Sequence, residues 1–141
     1  MKMSGSIEIR RPIEEVFAFM SNIEHEVQWR NLVEVKVTSG LPLRLGSTYL
    51  YVANMMGRQM RIEGKITAFE SNRGWSFETV SGPFPGKGNV ALEPLHEGTK
   101  ATLSGEGHLS GLLKLFEPIM RGMLSRQFDG ELQNLKKLLE G

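Results

Sequence analysis

Cysteine is absent from this 141-residue chain. Disulfides, thiolate nucleophiles and cysteine-based zinc sites are therefore excluded, and the absence fits a reducing compartment. A surplus of charge is missing as well: 17 lysines and arginines stand against 16 aspartates and glutamates, a formal net charge of +1. Such a balance carries no field strong enough to draw nucleic acid or an anionic membrane surface, and neither is expected as a partner. Long hydrophobic runs are lacking too. "VFAFM" (16–20) is far too short to span a bilayer, so no stable membrane insertion is expected. No apolar stretch of signal-peptide length follows the opening "MKMSGSIEIRRP", and a cytoplasmic location is the expectation.

Histidine is scarce, with three in the chain, and the first raises a question. "EHEVQWR" (24–30) is one residue away from the HExxH signature, in which two histidines hold zinc and the glutamate acts as base. Trp29 stands where the second histidine would be. His96 falls in a turn and His108 near a strand end, neither at ligand spacing, so no metal is expected. "SGPFPGKG" (81–88) also fails as a phosphate loop. Three residues, not four, separate Gly82 from Gly86-Lys87, and Gly88 replaces the hydroxyl that would hold magnesium. It reads as a hairpin loop with two prolines and Phe84 at its tip. No cofactor is expected.

What is present is periodicity. "SIEIR" (6–10) alternates as a strand, with Ile7 and Ile9 on the core face. Pro12 begins a helix; Glu14 and Glu15 suit the positive end of its dipole, and Ile13, Val16, Phe17 and Met20 recur at helical spacing. Ser21 and Glu24 match a capping box, which predicts a second short helix carrying His25 to Trp29. Period two then takes over in residues 32–39, 47–54, 58–70, 75–80, 88–95 and 99–109, with turn residues between. Strands so close together must pair as antiparallel hairpins. From Leu109 to Leu139 the period returns to helical, as one apolar stripe. Pro118 breaks it, so a short turn at 110–116 and a long helix from Pro118 to Leu139 are predicted. The order is strand, two short helices, six strands, one long helix. An α+β fold follows, in which a curved seven-stranded antiparallel sheet buries one face under the last helix.

The chain resembles the SRPBCC (START-like, helix-grip) superfamily, and within it the polyketide cyclase/dehydrase-like group. The likeness is carried by "IEIRRPIEEVFAFMSNIEHEVQW", by "LGSTY" and "GTKATL" in the sheet, and by the closing "LQNLKKLLE". It covers nearly the whole chain and implies one ligand-binding domain over residues 1–141. These segments mark a fold and none is a catalytic motif. The resemblance implies a hydrophobic or amphipathic small molecule held between the sheet and the C-terminal helix. It also implies that Trp29 packs at the mouth or floor of that cavity and that the loop of Phe84 rims its entrance.

The residues expected at the ligand are Trp29, Tyr51, Met56, Met60, Phe77, Phe84, Phe116, Met120 and Met123. Methionine's flexible thioether suits an adaptable apolar surface; Met55 and Met56 in a turn fit a cavity rim or a homodimer contact equally well. Leu132, Leu135 and Leu139 are expected in close-packed core. Gly105 and Gly107 fall on the inward parity of the last strand and leave room there. Catalysis would need an ionisable group inside the cavity. Strand parity sends the charges outward, and a bulge turning Glu78 or Arg61 inward would supply one. A non-catalytic binder or carrier is the favoured function, since no polar constellation converges. The alternative is an enzyme of the cyclase, dehydratase or aromatase type; a chaperone-activator-like interaction module ranks third, for want of an exposed apolar strip.

Overall fold

The computed structural model describes residues 2–55, 57–82, 85–107 and 111–141. Strand β1 (Lys2–Ile9) leads into helix α1 (Ile13–Ser21) and a 3₁₀ segment (Ile23–Gln28). Six strands follow: β2 (Glu34–Lys36), β3 (Thr48–Met55), β4 (Arg58–Glu70), β5 (Gly74–Ser81), β6 (Gly86–Leu95) and β7 (Gly98–Gly107). A second 3₁₀ segment (Gly111–Phe116) precedes helix α2 (Glu117–Glu140). The strands form one antiparallel sheet in the order β1-β7-β6-β5-β4-β3-β2. This is the curled sheet and long C-terminal helix of the START-like, helix-grip fold.

The order has a consequence for the site. β1 and β2 are consecutive in the chain but lie at opposite edges of the sheet. The segment between them must therefore cross its whole width, and this carries residues 23–31 under α2 and over β3. Register shifts between Glu63 and Gly64 and between Ile66 and Ala68 break the β4–β5 ladder, and such irregularities bend the strand and increase its twist.

Two local expectations need correction. Residues 32–39 form only the three-residue β2, because the Val37 amide donates to the Glu24 carboxylate (3.0 Å) rather than to a strand. That same bond removes the capping box. α1 runs through Ser21, Asn22 precedes the next segment without a side-chain cap, and the segment is a 3₁₀ helix. In that geometry residues i and i+3 eclipse. Ile23, Glu26 and Trp29 consequently all point inward and are buried.

The core sits where α1, β1 and the second half of α2 meet. Ile9, Val16, Met20, Ile23, Leu132 and Leu135 are almost wholly enclosed there, with Leu139 half-buried against them. Gly5 permits the close approach: a Cβ at that position would lie 3.3 Å from Leu132 Cδ1 and 3.6 Å from Phe128 Cβ. The second 3₁₀ segment and the first half of α2 do not follow. Leu112, Leu115, Phe116, Ile119 and Met123 are exposed, so the expected single inward stripe is split and an exposed apolar strip results. Among the described residues no helix is long and apolar enough to cross a membrane.

Candidate functional site

Where α2 stands away from the sheet, a cavity of about 300 Å³ remains. Its wall is built by alternation: the inward residues Tyr49 and Tyr51 of β3, Ile62 of β4, Trp75, Phe77 and Thr79 of β5, Val90 of β6, Leu103 and Gly105 of β7, and Met3 of β1. Met120, Leu124 and Phe128 of α2 close it from above, and Glu26 and Arg30 reach it from the 3₁₀ segment and its end. Two glycines let aromatic rings lie flat across the sheet. A Cβ on Gly88 would collide with the ring of Phe77, and one on Gly64 with the Tyr49 hydroxyl. Gly105 is different, since a Cβ there would meet only Met3 Cε and Phe128 Cζ at 4.0 Å. That missing side chain is cavity space. A second, wider depression of about 580 Å³ lies beside Ser4, Ser76, Asn89 and Ser104. It is more open and no residue of α2 lines it, so the cavity beneath α2 is the better candidate.

One end of the cavity is charged. The Arg30 guanidinium donates from Nη1 to Glu26 Oε1 (2.8 Å) and from Nε to Glu131 Oε1 (3.3 Å). Tyr51 Oη donates to the other oxygen of Glu26 (2.7 Å). Glu131 Oε2 accepts from the Asn31 amide (3.0 Å) and from Gln127 Nε2 (3.3 Å). The guanidinium lies 5.8 Å from the ring centre of Trp29 and 5.9 Å from that of Phe128. Burial works against its charge, but the adjacent carboxylates of Glu26 and Glu131 outweigh this and hold Arg30 protonated well beyond its usual range. Tyr49 packs against Tyr51 with ring centres 4.9 Å apart. Burial, and then the negative charge of Glu26, raise both phenols well above the ordinary tyrosine value.

Those raised phenols make a prediction. The folded chain keeps these protons more tightly than the unfolded chain, whose tyrosines titrate at about 10. The stability this contributes is complete below that pH and is lost as pH rises through the folded values. Tyr49→Phe removes one such proton without breaking a hydrogen bond, so its stability should fall less steeply than wild type from about pH 10 to 11. Equal slopes in urea titrations across that range would show that Tyr49 ionises freely.

Of the residues expected at the ligand, the structure brings Tyr51, Phe77 and Met120 to the cavity wall. Four others lie elsewhere. Trp29 is 3 % exposed and packs in the core behind the cavity, because the 3₁₀ turn directs it inward alongside Ile23. Met60 is half-buried on β4, outside the wall. Phe116, at the end of the 3₁₀ segment, and Met123, on α2 between the cavity residues Met120 and Leu124, face solvent. Met56, Phe84 and His108 lie outside the described residues. Glu78 and Arg61 are exposed, as their outward parity requires, so neither supplies the buried ionisable group. Glu26 and Arg30 supply it instead, with Glu131 behind them on Arg30. Their signal was available: Glu26 and Arg30 are four residues apart, and Glu131 lies three after Phe128 and four before Leu135, inside the apolar stripe. The glutamate of the zinc-like motif thus has a place in the cavity. Its histidine does not: His25 stacks on Phe19 (4.6 Å), donates from Nδ1 to the Phe19 carbonyl (3.0 Å) and accepts at Nε2 from Asn22 (3.3 Å).

The family described as polyketide cyclase / dehydrase and lipid transport matches residues 1–140. No curated protein sequence matches the chain. Among solved structures, TTHA0849 from Thermus thermophilus superposes with a TM-score of 0.82 at 17% identity, covering 97% of this chain and 95% of that one. A START superfamily protein from Mycobacterium smegmatis does so with a TM-score of 0.76 at 14% identity, covering 99% and 97%. DynU16, from the dynemicin biosynthetic locus, reaches 0.72 at 14% identity, covering 99% of this chain but 47% of its own. At such identities the likeness is one of fold.

Proposed function

Since the chain belongs to the polyketide cyclase / dehydrase and lipid-transport family, we propose that it binds a hydrophobic or amphipathic small molecule between the sheet and α2. The supporting observation is the cavity itself, walled by Ile62, Trp75, Phe77, Val90, Leu103, Met120, Leu124 and Phe128. A mostly apolar concavity with a few convergent polar groups is the usual form of a small-molecule site, and about 300 Å³ is at the small end of that range. Binding or carriage, in the cytoplasm, is the reading favoured over catalysis. Both oxygens of Glu26 are engaged, and Arg30 is shared between two carboxylates, so neither is a free base or acid.

A thermal-shift screen tests this. Apolar polycyclic or long-chain compounds should raise the melting temperature, since a ligand at about a hundred times its Kd stabilises by about 2.7 kcal/mol. Nucleotides should not. Gly105→Leu, which fills the cavity from β7, should abolish the shift. Stabilisation by nucleotides alone, or an undiminished shift in Gly105→Leu, would contradict the reading.

A second reading, a cyclase- or dehydratase-type enzyme, is favoured by one observation. Tyr49 borders the cavity beside the Glu26–Arg30 pair, where its hydroxyl would hydrogen-bond a substrate carbonyl. Turnover of a supplied β-polyketo thioester, lost in Tyr49→Phe, would decide for it. The exposed strip of Leu112, Leu115, Phe116, Ile119 and Met123 is the feature an interaction module would need, which the sequence reading did not expect.

A further inference from the structure

We propose that this cavity selects uncharged amphipathic molecules, whose hydroxyl or carbonyl group meets the Tyr49 hydroxyl, and discriminates against carboxylates through the negative charge excess of its buried Glu26–Arg30–Glu131 cluster. The proposal rests on the ligand-binding reading and names the class of ligand.

Tyr49 is 3 % exposed, borders the cavity, and makes no side-chain hydrogen bond among the described residues. The hydroxyl is not sealed off but opens on the cavity, where a ligand group would take the place of water as its partner. A phenol both donates and accepts, so a hydroxyl or a carbonyl on a ligand would satisfy it. Its neighbour Tyr51 is not available, having committed its proton to Glu26.

Charge settles which head group fits. Glu26 is 5 % exposed, as is Glu131, and one guanidinium serves both. At the rim Lys87 pairs with Glu106 at 3.9 Å and adds no net charge. One negative charge is left in excess. The charged bonds of Arg30 from Nη1 and Nε are already directed at those carboxylates. A ligand carboxylate at this wall would therefore face Glu26 directly, with Glu131 behind the already committed Arg30, and like charges in a partly desolvated site repel. A neutral head group meets no such penalty, and the apolar wall receives its tail.

The experiment displaces a neutral fluorescent probe, N-phenyl-1-naphthylamine, with 1-dodecanol or with dodecanoate at about pH 8, where a carboxylate is fully ionised. Any apolar cavity prefers the alcohol to some degree, so the variants decide. In wild type 1-dodecanol should compete at least about tenfold better than dodecanoate, because like-charge juxtaposition is costly. Glu131→Gln should remove most of that difference by strengthening dodecanoate alone. Tyr49→Phe, which keeps the ring and leaves the charge cluster intact, should weaken 1-dodecanol by about three- to tenfold, the worth of one hydrogen bond, and leave dodecanoate unchanged. Dodecanoate binding as tightly as the alcohol in wild type would overturn the proposal, as would a Tyr49→Phe variant with unaltered alcohol affinity. A probe that fails to bind at all would sink the ligand-binding reading, whereas a bound probe with the opposite preference would sink the selectivity alone.

Discussion

Arg30→Met should lower the unfolding free energy by about 3–5 kcal/mol, because removing one side of a buried ion pair leaves charge uncompensated. Here the loss falls on two carboxylates together, Glu26 at 2.8 Å and Glu131 at 3.3 Å from the guanidinium nitrogens. Methionine retains an apolar stem against the rings of Trp29 and Phe128, so the change is chiefly one of charge. The triple variant Arg30→Met, Glu26→Gln, Glu131→Gln should recover most of the loss. The amide oxygen introduced by Glu26→Gln would still accept the Tyr51 proton, and buried ion clusters replaced as a whole are often close to neutral in stability. Urea denaturation of the two variants at neutral pH makes the comparison. If Arg30→Met alone costs less than about 1 kcal/mol, the range of an exposed pair, the cluster is solvated and does not form the closed end of the cavity.

The second large effect separates core from cavity along α2. Leu135 is fully enclosed by the core, and its truncation to alanine should cost about 2–5 kcal/mol, since transfer and cavity terms add. Met120, one end of which borders empty space, has fewer partners to lose, so Met120→Ala should cost about half as much. Ligand affinity should reverse the order: unchanged in folded Leu135→Ala, and altered in strength or size preference in Met120→Ala. Paired denaturation and probe titration of both variants supply the test. Equal stability losses with binding untouched in Met120→Ala would mean that the helix is packed along its whole length.

The fold was legible wherever a regular period ran uninterrupted. β4 occupies Arg58–Glu70, the stretch that period-two alternation marks, and α2 begins one residue before the proline that was expected to start it. Legibility failed where a side chain took a backbone partner. Glu24 captures the Val37 amide and cuts β2 short, a contact across 13 positions that no local pattern announces. The site was half visible for the same reason. Tyr51, Phe77 and Met120 follow from parity and helical spacing alone. Glu26 was less visible because under an α-helical period Ile23, Glu26 and Trp29 drift round the helix by about 60° at each step, whereas the tighter 3₁₀ turn puts all three in line. Phe116 and Met123 erred in the opposite direction. Their spacing is right for the apolar stripe, but spacing cannot show that these two side chains are left facing solvent.

Titration of methyl-labelled methionine with 1-dodecanol, followed by NMR, tests the central claim most directly. Four methionines report on different places: Met3 and Met120 on the cavity wall, Met20 in the core at 2 % exposure, and Met123 on the exposed strip. A small molecule bound between sheet and helix should shift the Met3 and Met120 methyl signals together and saturably, leaving those of Met20 and Met123 in place. Saturable shifts at Met123 with Met3 and Met120 unmoved would put the ligand on the outside of the helix and contradict the account.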